Sequence, residues 1–521
     1  MREHLQSSTA GVDCVTISCC EPLIRRDRAQ FTSTPQLAAS SSRCSRKGIS
    51  SLLQCSCHSL TCSLSRRLQV TIGKLSDEVL LEIFRYHLDA SPWSWSRLIH
   101  ICRKWRHLVF LHRRSLQLRL FCTHGTPVKR TLDCWPRSLP IVVDYGGVPG
   151  LDPPTLEDEN DIMAALNQPD RVHSISLTIT SSLLERLSAI KRPFLKLEHL
   201  ILVSRDGVQL TLPSAFQWGQ RLRRLHLTRI VIPTLVQLHN SSITDLQLHE
   251  VSNPFHSSPN ALPNALFRMA QLRSLSPRSL STSDHVAVSL PSWNRVVLPA
   301  LTRLKYRGID RELENLVARI DDAPRLEDIE VTFSNESITD LSKLIAFIDR
   351  IEIHKSHRQA HILSSENAIS ISFVQPGAPT RIKFRSVHDS LYLRLFFMAR
   401  IFTRFSALLL DVEDLHINVA QQSIQEDTSY IAQWLQLLNL FGGVHWLHVV
   451  GKLSTEIVRL LDKAELPALH GLYIPQPGPC HVPLREAVVS FMTLRRLSGH
   501  PIVVEYERLS HMSQLSGAGT R

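Results

Sequence analysis

LEHLIL at residues 197–202, LRRLHL at residues 222–227 and ITDLQL at residues 243–248 are three copies of one pattern. Each copy has aliphatic residues at its first, fourth and sixth positions, with mostly polar residues between them. Side chains two residues apart on a β-strand point to the same side. We therefore predict one short strand for each copy, with the aliphatic side chains of its fourth and sixth positions facing inward.

The same pattern recurs through most of the chain. Further full copies begin at residues 172, 301, 326, 412, 444 and 469, and a partial copy begins at residue 272. The first seven starts are 21 to 29 residues apart, which is the period of leucine-rich repeats. Helix candidates lie between the strands, at residues 182–190, 311–320, 340–351, 429–440 and 455–463. We predict an α/β fold, an irregular leucine-rich-repeat solenoid over residues 115–505 with parallel strands inside and helices outside.

The pattern weakens at the ends and in the middle of this body. Residues 115–122 and 139–147 are typical of strands and are predicted to begin it. Residues 332–411 contain no good copy, although residues 366–373 (ENAISISF) are typical of a strand. That gap has room for about three repeats. Residues 506–521 are predicted to be a disordered tail.

The alternate positions of the predicted strands form an exposed ladder of polar side chains. The ladder is basic around residues 303–307 and acidic around residues 328–330 and Asp414. A partner that recognises this order of charges is one interpretation, and a solvated face is the other. The residues expected to contact a partner protein are Arg224, His226, Arg303, Lys305, Asp328, Glu330, Trp446 and His448.

A different pattern precedes the repeats, at residues 74–110: KLSDEVLLEIFRYHLDASPWSWSRLIHICRKWRHLVF. Ser76 is suited to cap a helix whose first turn holds Asp77 and Glu78. Apolar residues then follow at helical spacing in two stripes, with Pro92 between them. A segment this short buries little apolar surface by itself, so it requires a partner surface or the repeat body. Periodicity alone leaves both alternatives open.

This segment resembles an F-box. The matching positions are Leu75, Asp77, Glu78, Leu80, Leu81, Glu82, Ile83, Phe84, Leu98, Cys102, Arg103, Lys104, Trp105 and Leu108. The segment departs from the F-box pattern at Ser76, where the pattern prefers Pro, and its linker (DASPWSWS, residues 89–96) is longer and more aromatic than usual. With its continuation through residues 135–136, it looks like the F-box proteins that are numerous in mushroom-forming fungi.

The resemblance implies that residues 71–114 bind a Skp-type adaptor, which carries a cullin-based ubiquitin ligase. The chain would then be a non-catalytic subunit that recognises a substrate, with the repeats holding an unknown client protein. The alternative is a divergent F-box cap on a repeat scaffold without a ligase role. The resemblance assigns the adaptor contact to Leu75, Val79, Leu80, Ile83, Phe84, Leu98, Ile101, Cys102 and Trp105.

The net charge of +12 is concentrated in parts of the chain. Residues 97–130 hold nine Lys or Arg and no acid, whereas the body that follows is close to neutral. This distribution indicates an acidic partner for the segment and no nucleic acid for the body. No stretch resembles a membrane span or a secretory signal, so no membrane partner is expected and a cytoplasmic or nuclear location is predicted.

Residues 1–70 are rich in Ser, Cys and Arg and are predicted to be a disordered leader. The leader contains one weak candidate for metal binding, formed by Cys55, Cys57, His58 and Cys62, but this spacing lacks the paired C-x2-C of structural zinc sites. A mitochondrial presequence is the third alternative, and four acidic residues in the leader oppose it.

The sequence contains no motif that is typical of an enzyme. Its 25 histidines include no HExxH pair, and there is no glycine-rich phosphate loop, no G-x-S-x-G and no C-x-x-C. We therefore expect no enzymatic activity, no metal and no cofactor.

Overall fold

The computed structural model divides the chain into two compact units, one formed by Met1–Leu120 with Pro127–Leu139 and the other by Phe121–Thr126 with Pro140–Arg521. We call them the helical unit and the sheet unit. In the part of the chain that the structure describes, no helix is both long and apolar enough to cross a membrane. The described residues are 75–146, 155–206, 210–213, 221–232, 242–251, 265–278, 295–334, 340–351, 357–374, 381–388, 390–419, 429–451, 453–475 and 482–507.

Short helices make up the described part of the helical unit. They are α1 (Asp77–Ala90), α2 (Trp95–Leu98), α3 (Arg103–Leu111) and α4 (Val128–Cys134), with a 3-10 turn at Pro92–Ser94. The hydroxyl of Ser76 caps α1 as predicted, since it accepts a hydrogen bond from the backbone N–H of Val79 at 3.5 Å. Ser76 thus begins the helix without the Pro that the F-box pattern prefers.

The core of the helical unit includes the buried residues of its first three helices: Leu80, Leu81, Phe84, Leu88, Trp95, Leu98, Leu108 and Val109. Trp95 comes from the aromatic linker between the helical stripes. Its ring meets Trp135 edge-to-face, with 5.0 Å between ring centroids. Its indole N–H donates to the backbone carbonyl of Arg119 at 2.7 Å. The long linker therefore supplies part of the unit's own core.

The strand predicted over residues 115–122 begins only at Leu120. Gln117 has a φ of +48°, and its N–H donates to the carbonyl of Arg114, while the N–H of Leu118 donates to the carbonyl of Arg113. These two bonds form the Schellman closure that commonly follows a helix. The backbone becomes extended only after this turn.

The sheet unit is mixed α/β and contains one large, mostly parallel sheet of sixteen strands. The strand order in this sheet is β1-β2-β3-β4-β6-β8-β9-β11-β13-β16-β15-β14-β17-β18-β19-β20. Two small ribbons, β5 with β7 and β10 with β12, accompany it. The strands are β1 (Leu120–Thr123), β2 (Ile141–Tyr145), β3 (Val172–Ile179), β4 (His199–Ser204), β5 (Leu210–Thr211), β6 (Arg224–Thr228), β7 (Ile230–Val231), β8 (Asp245–His249), β9 (Ser274–Arg278), β10 (Val296–Val297), β11 (Arg303–Gly308), β12 (Ile320–Asp322), β13 (Asp328–Phe333), β14 (Gln359–Ser365), β15 (Ala368–Val374), β16 (Arg381–Ser386), β17 (Asp414–Val419), β18 (Trp446–Gly451), β19 (Gly471–Pro475) and β20 (Val503–Glu507).

All ten copies of the aliphatic pattern are strands of the large sheet, as predicted. Their parallel register places equivalent residues side by side. Leu200 of β4 pairs with Leu225 of β6, which pairs with Leu246 of β8. All three are fully buried, so the inward direction predicted for these positions is confirmed.

The helices predicted between strands are present, with ends within three residues of the predicted ones. Two long helices, α9 (Leu391–Arg404) and α13 (Val482–Leu497), were not predicted. The residues of α9 are buried on nearly every side, so its sequence lacks the polar stripe that reveals an amphipathic helix. The helices of the sheet unit are α5 (Leu156–Leu166), α6 (Ser181–Ser188), α7 (Asp310–Val317), α8 (Ser342–Ile351), α9 (Leu391–Arg404), α10 (Ser406–Leu410), α11 (Ser429–Leu438), α12 (Ser454–Leu461) and α13 (Val482–Leu497).

The prediction of parallel strands throughout is wrong for the gap at residues 332–411. The gap supplies β14, β15 and β16, and the strand predicted at residues 366–373 is β15. β15 is antiparallel to both of its neighbours. Only two residues join β14 to β15 and six join β15 to β16, whereas a parallel crossover requires about a dozen. The hairpins reverse the local order, so β16 lies beside β13 and β14 lies beside β17.

Two predicted segments fall wholly or partly outside the described residues. The leader at residues 1–70, including its candidate cysteines, lies outside them. Residues 506 and 507, predicted to begin the disordered tail, belong to β20, which ends at Glu507. Residues 508–521 lie outside the described part of the chain.

Candidate functional site

The first candidate surface is on the helical unit, where nine residues were expected to contact an adaptor. Three of them are buried in this structure: Leu80 and Phe84 are 0% exposed and Leu98 is 6% exposed. Adaptor contact stays a prediction for these three, and it would require them to become exposed. They occupy the inner side of α1 and α2, where they hold the short helices together.

The other six residues reach the surface to different degrees. Val79, Ile83 and Ile101 are 46%, 45% and 58% exposed, Cys102 is also exposed, and Leu75 and Trp105 are half-buried. We call these six residues the apolar patch. Adaptor contact stays a prediction for all of them.

Contacts between α1 and α3 hold the patch together. The ammonium of Lys104 lies 2.9 Å from the carboxylate of Asp77 and donates to the carbonyl of Leu75 at 3.3 Å. The rings of Phe84 and Trp105 meet edge-to-face, 4.7 Å apart. The start of α3 is thus fixed beside the start of α1, and residues from both helices contribute to one surface.

Sequence reasoning missed one large residue beside the patch. Tyr86 is 82% exposed and follows Val79 and Ile83 at positions i, i+4 and i+7 of α1, so all three share a helix face. That spacing could have identified Tyr86. Trp93, at 62% exposure, is a second exposed aromatic residue of the helical unit. Arg97 and Arg103 are exposed as well, so the unit's surface is both apolar and basic.

The second candidate surface is the polar face of the large sheet, formed by the side chains that alternate with the buried aliphatic ones. All eight residues predicted to contact a client lie on this face, and none of them is buried. The structure brings together those of β11 and β13, where Arg303 pairs with Asp328 and Lys305 with Glu330 in the strand register. The residues of β6 and β18 lie several strands away on either side. The eight residues therefore form three groups.

The predicted change from basic to acidic along this face is wrong, because β16 lies beside β13. The carboxylate of Glu330 is 3.2 Å from the ammonium of Lys305 and 3.4 Å from that of Lys383 on β16. Burial opposes the ionisation of Glu330, but the two lysines outweigh it and lower the pKa of its carboxyl. The acid is thus neutralised inside a basic region.

β16 contributes cations that the sequence interpretation missed. Its sequence, RIKFRS at residues 381–386, repeats RLKYRG of β11 at residues 303–308. Arg381, Lys383 and Arg385 stand in register with the alternate positions of β13, whose other neighbour is β11. Comparing these two hexamers would have revealed the additional basic strand.

A further cation stands at the edge of this basic region. Arg278 of β9 is in register with Arg307 of β11. The guanidinium of Arg278 is 3.0 Å from the carboxylate of Glu250, which also binds Arg229. Burial, together with the positive charge of Arg307, lowers the pKa of Arg278. The two guanidinium groups therefore repel each other.

From β14 onwards in the order of the sheet, the polar face carries a row of aromatic rings. His361 of β14, His416 of β17, His448 of β18 and Tyr473 of β19 stack in that order, with ring centroids 4.5, 4.0 and 4.2 Å apart and interplanar angles of 11° or less. We call these four residues the ring ladder. Of the four, sequence reasoning included only His448 among the predicted contact residues.

The ring ladder holds its imidazoles in the neutral form. Burial, and the proximity of neighbouring charged groups, lower the pKa of both His361 and His416 to about 4. Burial also lowers the pKa of His448. At neutral pH the ladder is therefore uncharged, in contrast to the basic region across the hairpins.

A second histidine pair lies on β6 and β8. Nε2 of His226 is 3.3 Å from Nδ1 of His249. Burial and, to a smaller degree, the neighbouring His226 lower the pKa of His249 to about 4. Among the residues that the structure describes, no group of three or more His, Cys, Asp or Glu side chains is arranged to hold a metal ion.

Comparisons with known proteins gave no match, either to a model of a protein family or to a curated protein.

Proposed function

We propose that this chain recognises a substrate protein for a cullin-based ubiquitin ligase. In this proposal the helical unit is an F-box that docks a Skp-type adaptor, and the sheet unit is a leucine-rich-repeat solenoid that holds a client. The chain performs no bond chemistry. It raises the concentration of the client near the ligase by binding both.

The observation that carries the proposal is the exposure of apolar residues on the helical unit at positions to which the F-box resemblance assigns the adaptor contact. Val79 and Ile83 lie on one face of α1, and Ile101 lies two residues before α3. Aliphatic side chains exposed on a small unit favour association with another surface. The exposed cations of this unit favour a partner that is acidic.

The proposal for the sheet unit is supported by its regularity. Ten copies of one aliphatic pattern give strands of one sheet, and their equivalent leucines are neighbours in register. A stack in which each repeat buries the edge of the next is expected to behave in this way. The polar face then offers a long surface for a client.

A binding experiment with a purified Skp-type adaptor tests the helical unit. Ile83→Asp combined with Ile101→Asp places two charges in the apolar patch, and we expect recovery of the adaptor to fall by about tenfold or more. The matched control is Leu156→Asp with Leu410→Asp, which changes two exposed leucines of the sheet unit. Equal recovery with both double variants, or no binding by the unmodified chain, would contradict the proposal.

The second candidate function is a repeat scaffold that binds proteins without a ligase role. It is favoured by Trp95, which the F-box-like segment uses in its own core, and by Ser76 in place of Pro. The two functions differ in the fate of the client. If deletion of residues 74–110 leaves the half-life of a bound client unchanged in cells, the scaffold function is supported; a longer half-life supports the ligase function.

A further inference from the structure

The polar face of the sheet unit is strongly basic over four neighbouring strands, β9, β11, β13 and β16. We call the cations of this region the basic band: Arg278, Arg303, Lys305, Arg307, Arg381, Lys383 and Arg385. On the same face, these four strands carry two acids, Asp328 and Glu330. The band therefore has a clear excess of positive charge in a sheet unit whose overall charge is close to neutral.

Part of this charge is neutralised within the described residues. Glu330 binds Lys305 and Lys383, and Glu250 binds Arg278. Among the residues that the structure describes, no carboxylate lies within 4.0 Å of the guanidinium groups of Arg303, Arg307, Arg381 or Arg385. A guanidinium has five N–H donors suited to carboxylates. An anionic partner would therefore meet no competing carboxylate at these four arginines from the described part of the chain.

The most concentrated positive charge lies at the carboxyl ends of the four strands. Arg278 and Arg307 are register neighbours, and Thr332 stands between Arg307 and Arg385. Neighbouring strands are about 4.8 Å apart, so three guanidinium groups lie across roughly 15 Å with no acid in their row. Glu250, outside this row, binds Arg278. The mutual repulsion of the three guanidinium groups is relieved when an anion lies across them.

We propose that the basic band docks an acidic, Asp- and Glu-rich segment of the client protein. This inference rests on the proposed function, in which the sheet unit holds a client. The cations along β11 occupy alternate residues and are spaced by about 6.6 Å, as are alternate side chains of an extended peptide. An extended segment with acids at every second residue therefore matches Arg303, Lys305 and Arg307 in spacing and in charge.

The aromatic rings on the same face favour a polypeptide over single-stranded nucleic acid. A surface that binds single strands presents ring faces on which bases stack. In the ring ladder, His416 and His448 each lie between two other rings at 4.0 to 4.5 Å. Their faces are occupied, and chiefly their edges are open to a partner.

Titration of the full chain with a fluorescent peptide tests the proposal. The probe is a twelve-residue peptide that alternates Glu or Asp with Ser, and the reference is the same peptide with Gln or Asn in place of the acids. We expect binding of the acidic probe only. Arg307→Gln combined with Arg385→Gln should weaken it by about tenfold or more, because charge-assisted hydrogen bonds are lost.

The control variant is Arg485→Gln with Arg496→Gln, which removes the same charge from exposed positions of α13. We expect this variant to bind the probe within about twofold of the unmodified chain. Equal weakening by both variants would show a general charge effect and overturn the proposal. Binding of single-stranded RNA without binding of the acidic peptide, or binding of only a phosphorylated peptide, would also overturn it.

A measurement on the unmodified chain covers the case in which the variants fold poorly. Raising the salt concentration from about 50 mM to about 500 mM should weaken binding of the probe by about tenfold, since exposed charges are screened. Affinity that does not change with salt would overturn the proposal. None of these measurements requires the adaptor, so failure of the basic band and failure of the adaptor contact are distinguished.

Discussion

At the scale of single residues, Gly471 explains how the largest ring of the polar face fits. It pairs in register with Trp446 on the neighbouring strand. A Cβ atom at Gly471 would lie 1.9 Å from two carbons of the Trp446 ring, so any larger residue requires the indole to move. We expect Gly471→Ala to destabilise the chain by about 1–3 kcal/mol, measured as the free energy of unfolding in urea.

Two variants control this prediction. Gly442→Ala adds the same methyl group where no atom lies within 4 Å, and it should change stability by less than about 0.5 kcal/mol. Trp446→Ala removes the ring that the new methyl group meets. In the Trp446→Ala background, Gly471→Ala should have little further effect; an undiminished effect would show that Trp446 is not the cause.

The ring ladder makes stability depend on pH. His361 and His416 have pKa values of about 4 in the folded chain, below the value of about 6.5 in an unfolded chain. As pH falls below 6.5 the unfolded state takes up these protons first, so stability is complete above about pH 6.5 and is lost towards pH 4. The expected loss is up to about 1.4 kcal/mol per pH unit for each group, reduced by solvent screening.

His416→Phe tests this dependence because it keeps a stacked ring and removes its titration. We expect the difference in unfolding free energy between about pH 7.5 and about pH 5 to become smaller in this variant. His500→Phe, at an exposed residue after α13, is the control and should leave the difference unchanged. An identical pH dependence in all three proteins would refute the role of the ladder.

At the scale of elements, a side chain from one helix completes the start of the next. The carboxylate of Glu314 on α7 accepts hydrogen bonds from the N–H groups of Lys343 and Leu344 in the first turn of α8, both at 2.8 Å. Glu314 is 5% exposed. Glu314→Ala leaves both N–H groups without this acceptor, and we expect a loss of about 1–3 kcal/mol in urea unfolding.

A milder substitution at the same position provides a comparison for Glu314→Ala. Glu314→Gln retains one oxygen acceptor, so its loss should lie between those of the unmodified chain and Glu314→Ala. Glu185→Ala changes an exposed glutamate of α6 and should cost less than about 0.5 kcal/mol. If Glu314→Ala were as stable as Glu185→Ala, the carboxylate would not stabilise α8.

The elements also show which parts of the fold a sequence can predict. Strands such as β4 and β6 were predicted because alternation of buried and exposed residues is a local property of the backbone. In the helical unit, the apolar stripe of α1 did not reveal that Phe84 faces inward and Ile83 outward. Two neighbouring apolar residues look alike in sequence, and only the packing of α1 against α3 distinguishes them.

At the scale of the whole sheet, the part that could not be predicted is the order of its strands. The hairpins of β14, β15 and β16 bring β16 beside β13, although residues 333 and 381 are far apart in the chain. The basic band depends on this neighbourhood, since β16 provides three of its cations. The charge of the polar face is therefore a property of the fold, and counting charges along the sequence gave a different order.

The two faces of the large sheet differ in burial, and this difference gives a prediction for the whole sheet unit. Leu304 of β11 is fully buried, whereas Leu363 of β14 points to the polar face and is 42% exposed. Leu304→Ala should destabilise the chain by about 2–5 kcal/mol because it opens a cavity, and Leu363→Ala should cost less than about 0.5 kcal/mol. Urea unfolding of both variants measures this difference. Equal losses would mean that the polar face is covered in the folded chain, and it would then not be free to hold a client.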